Sequence, residues 1–202
     1  MEIRRFLAIN VPIKNCNLRC EYCYITALNE ARSGPAVFKF SPEHVGKCLS
    51  KDRLGGVCII NLTGGGETLI PREMPQYIYH MLAQGHYLEV VTNGTLTERF
   101  KEIASFPKEY LNRLEFKFSF HYRELEKRNL LNEYFKNVKM MRDAGCSFTV
   151  ELMPYDDLIP DIDNIIDVCK KELGAVCQIT IGRNDKTNEK GLLTLLNREE
   201  YE

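Results

Sequence analysis

Eight cysteines occur in the 202 residues, and three of them, Cys16, Cys20 and Cys23, fall in one short segment, KNCNLRCEYCY from Lys14 to Tyr24. Thiols spaced C-x-x-x-C-x-x-C on a tight loop can converge on one metal centre, because each sulfur needs only a short detour of backbone. Three is the informative number. A closed structural zinc or a simple electron-transfer cluster takes four protein ligands, so a trio leaves one coordination position for water, substrate or a cofactor. At this abundance of cysteine the spacing arises by chance roughly 0.01 times in such a chain. Cys48, Cys58, Cys146, Cys169 and Cys177 lie singly in apolar segments, where a thiol behaves as a small buried hydrophobe.

The second chemical feature is Gly64, Gly65, Gly66 and Glu67, directly after the apolar run VCIINLT. Glycines let a ligand approach the backbone closely, and a following carboxylate can pair with an ammonium, which suits a small zwitterion. A strand-to-helix turn that needs positive φ explains the glycines equally well. The pattern is neither the P-loop nor G-x-G-x-x-G, so phosphate cradling is not favoured.

Both features need elements to position them. Runs rich in β-branched and aromatic residues begin near Phe6, Val57, Leu88, Leu114, Ser147 and Val176, which gives six expected strands. Between them lie apolar residues at helical spacing, with a start signal at Ser41-Pro42 and stop signals at Gly85 and Gly145. The clearest helix runs from Glu124 to Ala144. Repeated β-α units imply an α/β fold, either an open doubly wound sheet or a partial (β/α) barrel, and both carry function on loops at the carboxyl ends of the strands. The cysteine cluster, the Gly-Gly-Glu turn and the segments at Thr92, Ser119, Glu151 and Gly182 all fall on that rim.

Composition narrows the function classes. Lys plus Arg is 27 and Asp plus Glu is 28, a net charge of −1, so no bulk field draws the chain to nucleic acid or to an anionic membrane. A chain of this length buries roughly 70% of its unfolded surface, so a metal here serves chemistry and not folding. The N-terminus, MEIRRFLAINVPIK, lacks a long apolar region and a small-residue cleavage site, which reads as a soluble cytoplasmic protein without a membrane partner.

The C-x-x-x-C-x-aromatic-C arrangement of Cys16, Cys20, Tyr22 and Cys23 after strand one, followed by Gly65-Gly66-Glu67 after strand two, resembles the radical S-adenosylmethionine (radical SAM) superfamily. The resemblance spans nearly the whole chain and implies a partial TIM-type (β/α)6 barrel over residues 1–202. It implies that Cys16, Cys20 and Cys23 bind three irons of a [4Fe–4S] cluster, with the fourth chelated by S-adenosylmethionine. It places Tyr22 against the adenine, the Gly65–Gly66–Glu67 turn at the methionine ammonium, and Ser119 at the ribose or carboxylate. Asn93 and Glu151 are further carry-overs, although each also reads as a turn-stabilising or exposed polar residue. An external electron donor such as flavodoxin or ferredoxin is implied, together with a substrate that yields a hydrogen atom, a peptide being favoured over a carbohydrate or small metabolite.

Thr68 stands where the family often has Pro. The chain ends at NREEYE, where Arg198 to Glu202 reads as the start of a helix, and no later cysteine has auxiliary-cluster spacing; the expectation leans to C-terminal truncation over a minimal enzyme. His121 is the one histidine on the rim and reads as a base, a hydrogen-bonding group or a packed ring. Asp156, Asp157, Arg183 and Asp185 on rim loops could select a polar substrate. Two other functions compete: a non-catalytic module in which three thiols and an outside ligand hold zinc, and a cluster-bearing regulatory protein without turnover.

Overall fold

All six apolar runs become strands in the computed structural model, which describes residues 2–27, 34–184 and 191–201. They are β1 (Arg5–Val11), β2 (Cys58–Gly64), β3 (Tyr87–Thr92), β4 (Leu114–Ser119), β5 (Ser147–Leu152) and β6 (Gln178–Ile179). Every neighbouring pair is parallel and the spatial order is the chain order, β1 to β6. A doubly wound sheet reverses its order part-way and carries helices on both faces. A one-way order with right-handed crossovers puts its helices on one face and leaves a concave inner face, so of the two architectures the sequence allowed, the chain adopts the partial barrel.

The connections carry α1 (Tyr24–Ala27), α2 (Pro42–Cys48), α3 (Lys51–Leu54), α4 (Met74–Ala83), α5 (Thr97–Ala104), α6 (Lys108–Leu111), α7 (Tyr122–Lys127), α8 (Leu131–Ala144) and α9 (Ile162–Leu173), with α10 (Arg198–Tyr201) near the end. Ser41 caps α2 by accepting from His44 N–H at 3.3 Å, and Gly145 ends α8 in the left-handed region at φ 102°. The helix expected from Glu124 to Ala144 is two helices. Asn129 adopts φ 57° between them, and the Leu130 N–H closes onto Leu125 C=O at 2.8 Å, which ends the first and turns the chain into the second. Asparagine is among the few side chains that tolerate this conformation, so the apolar periodicity runs through a break it does not reveal.

Alternation along the strands sorts side chains into two layers. One face is buried: Ile60 and Leu62 of β2, Leu88 and Val90 of β3, and Phe116 and Phe118 of β4 join a core with Ile78 and Leu82 of α4, Phe100 of α5 and Tyr134 and Val138 of α8. Aromatic rings knit it together, with Phe100 and Phe116 centroids 5.6 Å apart and Phe120 stacked on Tyr134 at 5.1 Å. The opposite face is partly open and more polar, with Asn61, Glu89, Lys117 and Glu151 half-buried. The sixth strand is shorter than the run VCQITI suggested, and Ile179 within it and Val176 and Ile181 on either side are exposed. Beyond it β7 (Arg183–Asn184) and β8 (Gly191–Leu192) form an antiparallel pair. No helix among the described residues is long and apolar enough to cross a membrane.

Candidate active site

The two motifs are held together by backbone. Gly66 N–H donates to Ile13 C=O and Glu67 N–H to Asn15 C=O, both at 3.0 Å, so the pairing of β1 with β2 continues beyond the strands into the segment leading to Cys16. The contact is close enough that a Cβ on Gly66 would lie 2.1 Å from Asn15 O. None of Gly64, Gly65 and Gly66 has positive φ. The glycines are required by this approach of two chains and not by a turn conformation.

Glu67 is buried, and its carboxylate points into the fold. Oε1 accepts from Thr92 Oγ1 at 2.7 Å and Leu69 N–H at 3.0 Å, while Oε2 accepts from Asn93 N–H at 2.7 Å. Burial pushes its pKa up against these three bonds. The side chain thus ties the end of β2 to the end of β3. Asn93 continues the bracing: its Nδ2 donates to Asn17 Oδ1 at 2.8 Å and lies 3.9 Å from Cys16 Sγ, and its Oδ1 accepts from the Thr95 hydroxyl at 2.7 Å. A third anchor comes from α7, where Glu124 Oε1 accepts the Arg19 N–H at 2.8 Å.

The braced loop brings Cys16, Cys20 and Cys23 onto one wall of a cavity of about 410 Å³, with Tyr22, Gly65, Gly66, Glu67, Asn93, Ser119 and His121 around it. Burial raises the pKa of Cys16 and takes that of Cys20 far above a free thiol, so both sulfurs stay protonated unless a cation compensates. Among the described residues no three His, Cys, Asp or Glu side chains are grouped for a single metal ion. Three thiols on one wall give a cluster one thiolate per iron. Thr180, also on the wall, carries a buried hydroxyl without a hydrogen-bond partner among the described residues. The donor set, the close-approach turn and this hydroxyl fit a [4Fe–4S] cluster with a polar, nucleoside-sized ligand.

Tyr22 hydrogen-bonds through its hydroxyl to His121 Nδ1, and its ring packs on Tyr155 at a centroid distance of 4.9 Å. Burial takes the His121 pKa down to about 4, so the imidazole is neutral near pH 7. Ser119 ends β4 on the cavity wall, whereas Glu151 is absent from the wall and faces Lys117 Nζ at 3.7 Å. Of the rim charges, Arg183 reaches the cavity, and Asp156 accepts from Thr194 Oγ1 at 2.6 Å and Leu195 N–H at 3.0 Å. The Asp157 carbonyl accepts from Arg123, and Asp185 lies outside the described residues. Asn17, Thr92, Thr95, Glu124 and Thr180 were not singled out as site residues in the sequence, although the TNGT segment from Thr92 was placed on the rim.

A sequence profile described as the radical SAM superfamily matches residues 10–182. The chain belongs to the radical SAM superfamily. Among relatives of this radical SAM chain, a protein of Methanococcus vannielii named probable GTP 3′,8-cyclase is 28% identical over 190 residues, covering 88% of the chain and 58% of the relative. A protein of a Thermoplasmatales archaeon named S-adenosylmethionine-dependent nucleotide dehydratase is 32% identical over 99 residues, covering 46% of the chain and 32% of the relative. Among solved structures, native anSMEcpe with bound AdoMet superposes with a TM-score of 0.65 at 17% identity, over 87% of this chain and 50% of that one. Streptococcus suis SuiB bound to S-adenosylmethionine gives 0.61 at 12% identity, over 94% and 41%. These superpositions show the fold. The radical SAM chain spans about three-fifths of the first relative's length.

Proposed function

We propose that this chain is the catalytic core of a radical SAM enzyme that takes a hydrogen atom from a bound substrate. The observation that carries the reading is the opening of three loop thiols onto one cavity that also contains the Gly-Gly-Glu turn and a hydroxyl without a partner among the described residues. When bound, a reduced [4Fe–4S] cluster supplies the electron that splits the sulfonium of S-adenosylmethionine into methionine and a 5′-deoxyadenosyl radical.

The chain's own groups set the conditions for that chemistry. Cys16, Cys20 and Cys23 as thiolates hold three irons, and the absence of a fourth cysteine on the loop keeps one coordination position open. Asn93, bonded to Asn17, and Glu124, bonded to the Arg19 N–H, fix the loop from two sides, so the thiols are preorganised. Gly65 and Gly66 present bare backbone to the ammonium of the methionyl end. Tyr22, held by His121 and Tyr155, forms an apolar wall for the adenine. The electron comes from an external small redox protein of the flavodoxin or ferredoxin kind. The names of the two curated relatives mention nucleotide chemistry, and the structural neighbours include SuiB bound to the precursor peptide SuiA.

Anaerobic reconstitution with iron and sulfide, reduction and addition of S-adenosylmethionine test the reading. The expected result is about four irons per chain with 5′-deoxyadenosine formed; Cys20→Ala loses both, while Cys177→Ala, buried in the core near α9, retains both. Equal iron loss in the two variants, or a colourless protein that retains zinc, would overturn it.

A further inference from the structure

Asn93 stands where the exit of β3 meets both motifs. Its main-chain N–H donates to Glu67 Oε2 at 2.7 Å, at the end of the glycine turn, and its side chain turns toward the cysteine loop. The residue is buried on the cavity wall. The main chain fixes which end of the amide faces the loop. Oδ1 accepts from the Thr95 N–H at 3.1 Å, and a main-chain N–H can only donate, so Nδ2 lies on the other side.

Three side chains close the arrangement. Thr95 Oγ1 donates to Asn93 Oδ1 at 2.7 Å, Asn17 Nδ2 donates to Thr95 Oγ1 at 2.7 Å, and Asn93 Nδ2 donates to Asn17 Oδ1 at 2.8 Å. Within this ring each group gives one hydrogen and accepts one, and bonds linked in this way strengthen one another. An amide nitrogen carries two hydrogens, and the ring uses one. The other is left for Cys16 Sγ, which lies 3.9 Å from Asn93 Nδ2. The Leu18 N–H faces the same sulfur, so Cys16 meets one main-chain donor and one side-chain donor.

We propose that Asn93 raises the reduction potential of the cluster by donating a hydrogen bond to the sulfur of Cys16. The proposal rests on the radical SAM reading, which makes Cys16 an iron ligand. A thiol is a weak acceptor, whereas a thiolate is a strong one and carries more negative charge once the cluster has taken up an electron. A fixed donor at that sulfur favours the reduced form, and hydrogen bonds to ligand sulfurs are among the quantities that set such potentials. The aim of the donor is set by Thr95 and Glu67, neither of which belongs to the cysteine loop. A donor to Cys16 acts with or without S-adenosylmethionine, which separates this role from a contact with that ligand.

The test is a redox titration of the reconstituted protein without S-adenosylmethionine, followed by the electron paramagnetic resonance of the reduced cluster. Asn93→Ala should lower the reduced-to-oxidised ratio at a fixed poise roughly tenfold, equivalent to about 59 mV for a one-electron couple. Thr95→Val keeps the N–H that aims the amide and removes the hydroxyl from the ring. It should lower the melting temperature, as Asn93→Ala does, and leave the potential at the wild-type value. Equal shifts of potential in the two variants would make Asn93 a brace only. That result, an unchanged or raised potential in Asn93→Ala, or a shift seen only with S-adenosylmethionine present, would overturn the proposal. A second measurement needs no change at Asn93. With asparagine side-chain nitrogen isotopically labelled, pulsed resonance of the reduced cluster should show a coupled amide nitrogen that persists in Asn15→Asp and Asn17→Asp. Its absence would overturn the proposal even where Asn93→Ala fails to hold a cluster. A wild-type chain that holds a cluster and forms 5′-deoxyadenosine, yet shows neither shift nor coupling, refutes the donor alone. A chain that holds no iron refutes the radical SAM reading and the donor with it.

Discussion

At Gly66 one added carbon decides whether the two motifs can meet. The Cβ of an alanine would lie 2.1 Å from Asn15 O and 2.7 Å from Lys14 C, atoms of backbone that cannot rotate away. Overpacking of this kind costs about 1–3 kcal/mol, and a chain of this size loses roughly 2–4 °C of Tm per kcal/mol. Gly66→Ala should therefore lower the melting temperature by several degrees and weaken iron retention, while Gly34→Ala, with nothing within 4 Å, should leave both unchanged. Calorimetry and iron analysis on the two variants check this. In the sequence Gly66 had two readings, a turn and a ligand-facing backbone; the packing of one loop on another was invisible there because Asn15 is far from Gly66 along the chain. The cysteines were legible for the opposite reason, since their spacing is local.

At the scale of elements, the strands were legible because the sheet is parallel and has one buried face, so each strand must supply apolar residues at every second position whatever its neighbours. The break at Asn129 was not, because the apolar stripe continues across it. Its consequence reaches the site: the separate α7 carries Glu124 to the Arg19 N–H. Another tie between elements is titratable. His86, buried before β3, accepts from Cys58 N–H at 3.1 Å through Nδ1 and donates through Nε2 to Leu49 C=O at 2.5 Å, joining β2 to the end of α2. Burial lowers its pKa below 6.5 in the folded chain. The stability contributed by the neutral ring is thus complete above pH 6.5 and is lost as pH falls through the folded value. Denaturant unfolding at about pH 7 and about pH 5 should show a steeper loss for the wild type than for His86→Gln, whose amide can both accept and donate but does not titrate.

At the scale of the molecule, the sheet is a barrel with an open side. Phe6 on β1 is 62% exposed and Val176 before β6 is 60% exposed, so the two edges that would meet in a closed barrel remain apart. The sixth strand has two residues and one neighbour, while β2, β3 and β4 are paired on both sides over a fully buried aromatic layer. Stability is distributed accordingly. Native-state hydrogen exchange should find the slowest amides in β2, β3 and β4 and much faster exchange in β6, and equal protection across the six strands would contradict this account of the core.

The sequence by itself determined the six strands of the parallel sheet, the α/β class, the three thiols and the rim on which they lie, because all of these follow from local spacing and from alternation that each segment carries alone. Only the tertiary structure decided that Glu67 braces β3, that His121 serves Tyr22 and that Glu151 pairs with Lys117. Those outcomes depend on contacts between residues far apart in the chain. Each is set by which strand lies beside which and in what register, and no segment specifies that alone.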